Sequence, residues 1–459
     1  MAAPAPGEGG IFYLAPPRNR PICTPLAAPW GLPNRKAASS IGLSGRKAYW
    51  GSLELSIHLD APAVVRDFAP NEPVILNRPH AAERAARFFA ETFPGKSLYA
   101  VKANPSPELL RVLWAGGITH YDTASITEVR LVRETLGDAP VLCFMHPVKP
   151  FAAIAAAYHT YGVRTFSLDT HEELEKIVEA TRDAEGNAAT DLSLCVRLRV
   201  SSEYSELSLA SKFGVDLVDA APLLQATRQV ADCLGICFHV GSQAMTPFAY
   251  VQALERARAA IVDASVTVDI IDVGGGFPSI YPGMTPPPLE DYFGAIHRAF
   301  ESLPVSYSSE LWCEPGRALS AEFSSMIVKV EKRRGNELFI NEGAYGALYD
   351  AAHVDWRFPV RAIGADGVEK DGPAGEFAFY GPTCDDADYM EGPFALPAGI
   401  EAGDYIEVGM LGAYGVAMRT KFNGFGAGLT IEAADEPMAS QYLGDRRDLR
   451  RADNVVSLR

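Results

Sequence analysis

Ser97-Leu98-Tyr99-Ala100-Val101-Lys102-Ala103-Asn104 is a short apolar run that ends on a cation, and Pro105-Ser106-Pro107-Glu108-Leu109-Leu110 follows it at once. Serine before proline, with an acid in the next turn, is the composition that opens a helix. An extended run feeding directly into a helix is one β/α unit. Its lysine falls at the strand's C-terminal end, beside a buried core. There desolvation is expected to lower the ammonium pKa and free a nucleophilic amine. Taken alone, a strand-end lysine is more often a surface charge or an ion-pair member.

The unit recurs on both sides. Strand candidates are Val74-Ile75-Leu76, Thr119-His120-Tyr121, Val141 to Phe144, Thr165 to Leu168, Leu192 to Val200, Cys233 to Val240, Val268 to Val273 and Leu311-Trp312-Cys313. Amphipathic stretches lie between them: His80 to Phe93, Ile126 to Leu136, Thr170 to Thr181, Ala221 to Ala231 and Pro247 to Asp263. Such alternation demands parallel strands joined by crossover helices. About eight units in roughly 240 residues fit a (β/α)8 TIM-like barrel. An open doubly wound sheet is the competing arrangement.

After Arg317 the helical pattern fades. Phe323 to Val330, Glu337 to Asn341, Phe377 to Tyr380, Tyr405 to Val408 and Gly415 to Arg419 read as strands separated by Gly and Pro. They predict a C-terminal all-β domain, a small barrel or sandwich. A strand-like segment, Leu53 to Leu59, is expected to join it, which makes the α/β barrel an insertion. The expected boundaries are an irregular arm over 1–49, a β domain over 50–73 and 318–432, a barrel over 74–317 and a polar, mobile tail over 433–459.

The 459 residues suffice for two or three domains, and 48% hydrophobic with 21% charged residues is ordinary globular composition. A net charge of −16 leaves no basic excess for nucleic acid or an anionic membrane. Seven scattered cysteines without a C-x-x-C pair predict a reducing compartment, with neither a disulfide framework nor a zinc site. No apolar stretch has bilayer length, and Met1 to Gly10 lacks the order of a secretory signal, so a cytoplasmic location is expected.

Five further motifs carry chemistry. Phe238-His239-Val240-Gly241-Ser242-Gln243 ends a strand at the barrel rim. It offers a flat ring and a hydroxyl, or merely a satisfied histidine. Asp272-Val273-Gly274-Gly275-Gly276-Phe277-Pro278 exposes backbone N–H groups that can cradle a phosphate, or makes a tight turn. It matches neither a dinucleotide nor an NTP loop. Cys313-Glu314-Pro315-Gly316-Arg317 sets an acid and a guanidinium around a turn, as an internal ion pair or as partners for a ring nitrogen and a phosphate. Pro382-Thr383-Cys384-Asp385-Asp386-Ala387-Asp388 sets a thiol among carboxylates, either an acidic surface loop or a proton donor beside a cation site. Gly412-Ala413-Tyr414-Gly415 presents a tyrosine that serves the core or a phosphate.

In this order the motifs resemble the fold-type III pyridoxal-phosphate decarboxylases of basic amino acids, most closely ornithine decarboxylase, from about Leu53 to Phe425. Asp122 to Glu128 and Ser211-Lys212-Phe213-Gly214 share the likeness. The resemblance implies pyridoxal 5'-phosphate held covalently by Lys102, with Glu314 at the ring nitrogen and His239 on the ring face. It implies Ser242, Gly274, Gly275, Gly276, Arg317 and Tyr414 around the phosphate, and Asp122 and Arg199 nearby. It also implies a homodimer with shared active sites, in which Cys384 and Asp385 enter from the other subunit and Lys212 pairs with Asp388 across the interface.

The implied reaction is decarboxylation of a basic diamino acid. Ornithine to putrescine, in polyamine biosynthesis, is the leading case, with lysine open. Tyr345 to Asp350 is about four residues shorter than the family's segment, so the register of Asp350, beside Tyr349, as the distal-amine acid is unsettled. A diaminopimelate-type decarboxylase or racemase, and a non-catalytic ornithine-decarboxylase-like regulator, are the alternatives. Lys102 and Cys384 both weigh against the regulator.

Overall fold

The computed structural model of the chain describes residues 47–50, 53–56, 60–426 and 428–443. The predicted arm lies outside them, apart from Lys47–Trp50.

Eight parallel strands close into a barrel: Lys96–Ala100, His120–Thr123, Val141–Phe144, Thr165–Leu168, Ser193–Arg197, Cys233–Cys237, Ile270–Asp272 and Glu310–Cys313. The last pairs with the first, Trp312 opposite Lys96, so no edge is left open. Helices begin where the sequence supplies caps. Ser106 Oγ accepts from Leu109 N, and Ser125 Oγ accepts from Glu128 N while Glu128 returns a bond to Ala124 N.

Alternation within the strands sorts the side chains. Leu98, Cys143, Cys195, Cys237, Ile270 and Trp312 form one buried cluster inside the barrel. Tyr99, Tyr121, Leu142, Leu194, Ile236 and Ile271 belong to the larger cluster shared with the helices. Counting on by two from the inner set reaches the mouth at Lys102, Arg197, His239, Asp272 and Glu314.

The second domain is a mixed eight-stranded sheet. Its long strand Ser324–Arg334 pairs with Val74–Asn77, Glu337–Ile340 and Tyr405–Val408. Val74-Ile75-Leu76, expected in the barrel, is therefore a strand of the β domain. A run buried on both faces reads alike in either place. The barrel is inserted after this strand. Leu53–Ser56 instead forms a two-stranded antiparallel sheet with Lys47–Trp50. Gly415 to Arg419 is not a strand: Tyr414 has φ +55°, and Val416–Met418 is a 3-10 turn. Val360–Ile363, Tyr389–Pro397 and Leu429–Glu432 are strands absent from the sequence reading.

The segment after Ala433 packs against the fold up to the last described residues. Asp435 bonds the buried Arg78 guanidinium, and Tyr442 Oη donates to Ala318 O. Glu322 accepts from Ser440 Oγ at 2.7 Å and Gln441 N at 3.0 Å, and burial pushes its carboxyl up to about 7. Arg84, 3.9 Å away, offsets this only partly.

Native Glu322 thus holds a proton that the unfolded chain gives up above about 4.5. Its stabilising contribution is full below that pH and is lost as pH rises through 7. Glu322→Gln is expected to stabilise the protein by roughly 1–3 kcal/mol at pH 8 and by little at pH 4.5. Thermal melts at the two pH values check this, and a pH-independent difference would count against it.

Among the described residues no helix is long and apolar enough to cross a membrane.

Candidate active site

Lys102 sits on a single 3-10 turn, Val101–Ala103, just past its strand. Its Nζ lies 3.3 Å from Asp122 Oδ2, and the lysine side chain is 41% exposed while Asp122 is 3% exposed. Asp122 raises the lysine pKa by more than burial lowers it. The expected depression of that pKa is therefore overturned: a buried carboxylate on the neighbouring strand holds the amine as ammonium.

The rest of the mouth comes from the neighbouring strand ends. His239 is half-buried, its Nδ1 accepting from Gly241 N, and desolvation together with Lys102 and Arg197 keeps the imidazole neutral. Glu314 is fixed by its own N–H, which donates to Gly274 O at 2.8 Å. Burial and the charges of Asp272 and Asp122 raise its carboxyl well above the usual range. Asp272, fully buried, accepts from Gly274 N through Oδ1, and its own carboxyl is pushed up to about 6, chiefly by burial. Two carboxyls in one dry pocket retain a proton between them.

A second group surrounds Arg317, 4% exposed. Its Nη1 donates to Tyr281 Oη at 3.2 Å and its Nη2 to Ser242 Oγ at 3.4 Å. The guanidinium lies 4.3 Å from the Trp356 ring and 5.0 Å from that of Tyr414. Its buried Nε has no partner among the described residues. The three glycines run beside this group. Gly274 has φ +68°, and a Cβ there would fall 1.9 Å from Phe238 O; Gly276 has φ +105°. The N–H groups of Gly275 and Gly276 have no recorded partner among the described residues. Tyr414 N donates to Ala103 O, and Asn104 Nδ2 to Gly412 O, so the β domain closes one side of the mouth.

Of four further expected residues, three stand away from the Lys102 group and Asp350 lies beside Arg317. Arg199, beyond its strand, pairs with Asp216 on the surface at 3.1 Å. Arg197, two residues earlier, is the arginine felt by Lys102, His239, Asp272 and Glu314. Tyr349 is 38% exposed and stacks on His353. Asp350 is buried 3.8 Å from Arg317. Asp388, expected to face Lys212 across an interface, is 2% exposed, and Ala344 N, Thr383 N and Thr383 Oγ1 donate to its carboxylate. A buried carboxylate with three donors is a brace for its own loop.

Cys384 and Asp385 lie on that loop, exposed, and line a cavity of about 740 Å³ on the β domain. Tyr345 Oη donates to Asp385 at 2.5 Å and holds its carboxyl below the usual range. Among the described residues, no hydrogen bond or ion pair joins this loop to the Lys102 group.

An amine at a barrel mouth, flanked by carboxyls and by a cationic, glycine-lined cradle, suits an enzyme whose cofactor is a phosphorylated ring aldehyde. The chain belongs to the pyridoxal-dependent decarboxylases: residues 80–321 match the family's pyridoxal binding domain. It is 31% identical over 361 residues to a lysine/ornithine decarboxylase of Selenomonas ruminantium, covering 77% of this chain and 87% of the relative. It is 29% identical to ornithine decarboxylase of Mus musculus, covering 71% and 73%. The crystal structure of lysine/ornithine decarboxylase from Vibrio vulnificus, complexed with putrescine, superposes with a TM-score of 0.68 at 28% identity, covering 82% of this chain and 99% of that one. The protein is thus a pyridoxal-phosphate-dependent amino-acid decarboxylase, a carboxy-lyase. The residues present fit the cofactor. Arg317, with its unpartnered Nε, and the free Gly275 and Gly276 N–H groups suit its phosphate, and the Lys102 amine suits its aldehyde.

Proposed function

We propose that the enzyme decarboxylates a cationic diamino acid, with ornithine or lysine as substrate, in a cytoplasmic homodimer whose active sites are shared between subunits. The observation that carries this reading is the pair of separate groups on one chain. The Lys102 cluster stands at the barrel mouth, and the exposed Cys384–Asp385 loop carries a thiol and a carboxylate that, among the described residues, no hydrogen bond or ion pair joins to that cluster. The similarity to lysine/ornithine and ornithine decarboxylases supports the substrate class.

Pyridoxal phosphate, when bound, supplies an electron sink that makes loss of CO₂ feasible. Lys102 holds it and takes it back after product release. Without cofactor Asp122 holds the Lys102 amine as ammonium, so that amine would give up a proton on taking the cofactor aldehyde. Glu314, with Asp272 behind it, supplies a partner for the ring nitrogen, and neutral His239 packs on the ring without adding charge. Ser242, Gly275, Gly276, Arg317 and Tyr414 anchor the phosphate. Cys384 delivers a proton to Cα.

Asp385, kept ionised by Tyr345, receives the distal ammonium, with Asp350 contributing. Asp385 also accepts from Ala387 N, so it shapes its loop as well. The shorter Tyr345 to Asp350 segment leaves the choice between ornithine and lysine to measurement. Free cysteines among the described residues are consistent with a reducing cytoplasm.

The test is CO₂ release from ornithine, lysine, arginine and diaminopimelate. Ornithine or lysine is expected to lead, because a site built around a carboxylate rejects analogues lacking its counter-charge. Asp385→Ala is expected to raise KM for the diamino acid about tenfold or more and to narrow its advantage over norleucine or norvaline. Diaminopimelate as best substrate, or undiminished discrimination in the variant, would overturn the assignment.

A further inference from the structure

We infer that Asn423 is the residue that positions the Cys384 thiol for proton delivery; this rests on the decarboxylase reading above. Two donors of one residue converge on one oxygen. Cys384 N donates to Asn423 Oδ1 at 3.3 Å, and Cys384 Sγ donates to the same oxygen at 3.3 Å. A backbone N–H can only donate, so it fixes which end of the amide faces the cysteine. The thiol hydrogen must then point at that oxygen as well. An exposed thiol without such a partner is free to sample its staggered rotamers. Here one acceptor ties both the backbone and the sulfur of Cys384.

The backbone around Asn423 is arranged to keep that oxygen in place. Asn423 has φ +52° and ψ +14°, a left-handed conformation that asparagine tolerates and most side chains do not. Its neighbour Phe422 lies with its ring 4.6 Å from that of Tyr345, whose hydroxyl holds Asp385. Thr420 N and Oγ1 both donate to Tyr345 O at 2.9 Å. Thus one strip, Thr420 to Asn423, fixes both members of the Cys384–Asp385 pair. Asn423 holds the proton donor, and Phe422 holds the tyrosine that binds the acid.

The step assisted is simple to balance. After CO₂ leaves, the electron pair at Cα takes the thiol proton. The S–H bond breaks, a C–H bond forms, and the sulfur keeps its pair as thiolate until solvent returns a proton. If the thiol points elsewhere, less of the turnover ends with a proton on Cα, and more would end as pyridoxamine phosphate and, with water, an aldehyde. Positioning by Asn423 therefore sets a product ratio, which a purely structural residue would not move.

Asn423→Gly removes the acceptor while keeping the left-handed backbone. Asn423→Ala removes it with less conformational freedom and serves if the glycine variant does not accumulate folded. Asn423→Asp retains an acceptor oxygen. In the holoenzyme with ornithine or lysine, the glycine variant is expected to form several-fold more pyridoxamine phosphate per CO₂ released than wild type. Asn423→Asp should restore most of the wild-type ratio, and Cys384→Ala should set the ceiling. A second readout, iodoacetamide capture of Cys384 in cofactor-free protein followed by peptide mass spectrometry, should show a several-fold change in rate for Asn423→Gly. If Cys384→Ala diverts turnover and Asn423→Gly does not, the positioning role is wrong and the decarboxylase reading stands. If Cys384→Ala itself leaves the ratio and rate of wild type, the donor assignment beneath it fails.

Discussion

Lys102→Ala is expected to fold, to retain no borohydride-fixed pyridoxal phosphate, and to lose about a thousandfold or more in decarboxylation, which corresponds to about 4 kcal/mol of barrier. The lysine side chain is 41% exposed and packs little, so its removal costs the core almost nothing. It leaves Asp122 buried without its ammonium, and an unpaired buried acid costs roughly 1–3 kcal/mol unless it takes up a proton. A modest fall in Tm, smaller at acid pH, should therefore accompany the loss of activity. The catalytic effect is larger because nothing replaces the amine. Lys149, a fully buried lysine just past a barrel strand, is committed to His146 O, Ser167 O and Glu173. Absorbance of the reconstituted variant and mass spectrometry after borohydride decide the point. Cofactor still fixed to the protein would refute the assignment of Lys102.

Most of the barrel was legible because its strands are short apolar runs bounded by turn residues, and its helices carry their caps in sequence. Ile126 to Leu136 was read to the residue, with Ser125 and Glu128 marking its start. What failed did so for physical reasons. Val74 to Leu76 is apolar on both faces, and a run of that kind does not say which sheet it joins. Gly415 to Arg419 has strand-like composition, but the left-handed Tyr414 turns the chain to bond Ala103.

The site was legible where glycines and a strand end fall together, as at Gly274 to Gly276. Arg199 was the wrong arginine. It was implied by the resemblance alone, and it lies two residues past the end of the strand Ser193–Arg197. Extending the inward series Cys195, Arg197 within the strand would have found the right one. Asp272 lay inside a quoted motif, yet its burial behind Glu314 is a tertiary fact. Tyr281 and Trp356, which flank the Arg317 guanidinium, carried no local signal at all. The tail after Ala433 reads as polar in sequence, but its Asp435 is spent on Arg78 and Arg361, partners more than seventy residues away.

Mixing Lys102→Ala subunits, which do not turn over, with Cys384→Ala subunits, which release little amine, is expected to restore amine formation to about a quarter of wild type. In the proposed two-fold dimer, each barrel receives the Cys384 loop of its neighbour. A heterodimer then has one site with both lesions and one with neither. Random exchange makes half of the dimers mixed, and half of their sites intact. The physical ground is the separation of the two groups on one chain. Cys384 is exposed on a β-domain loop braced by the buried Asp388, and it lines an open cavity of about 740 Å³ instead of bonding into the barrel mouth. A brace of three donors on one buried carboxylate is more than a free surface loop needs, and it suits a loop that must present its tip to another molecule. Subunit exchange should be confirmed with a mass tag on one variant. No recovery despite confirmed exchange would mean that each chain closes its own site. Cys384 would then have to reach the Lys102 group of its own chain.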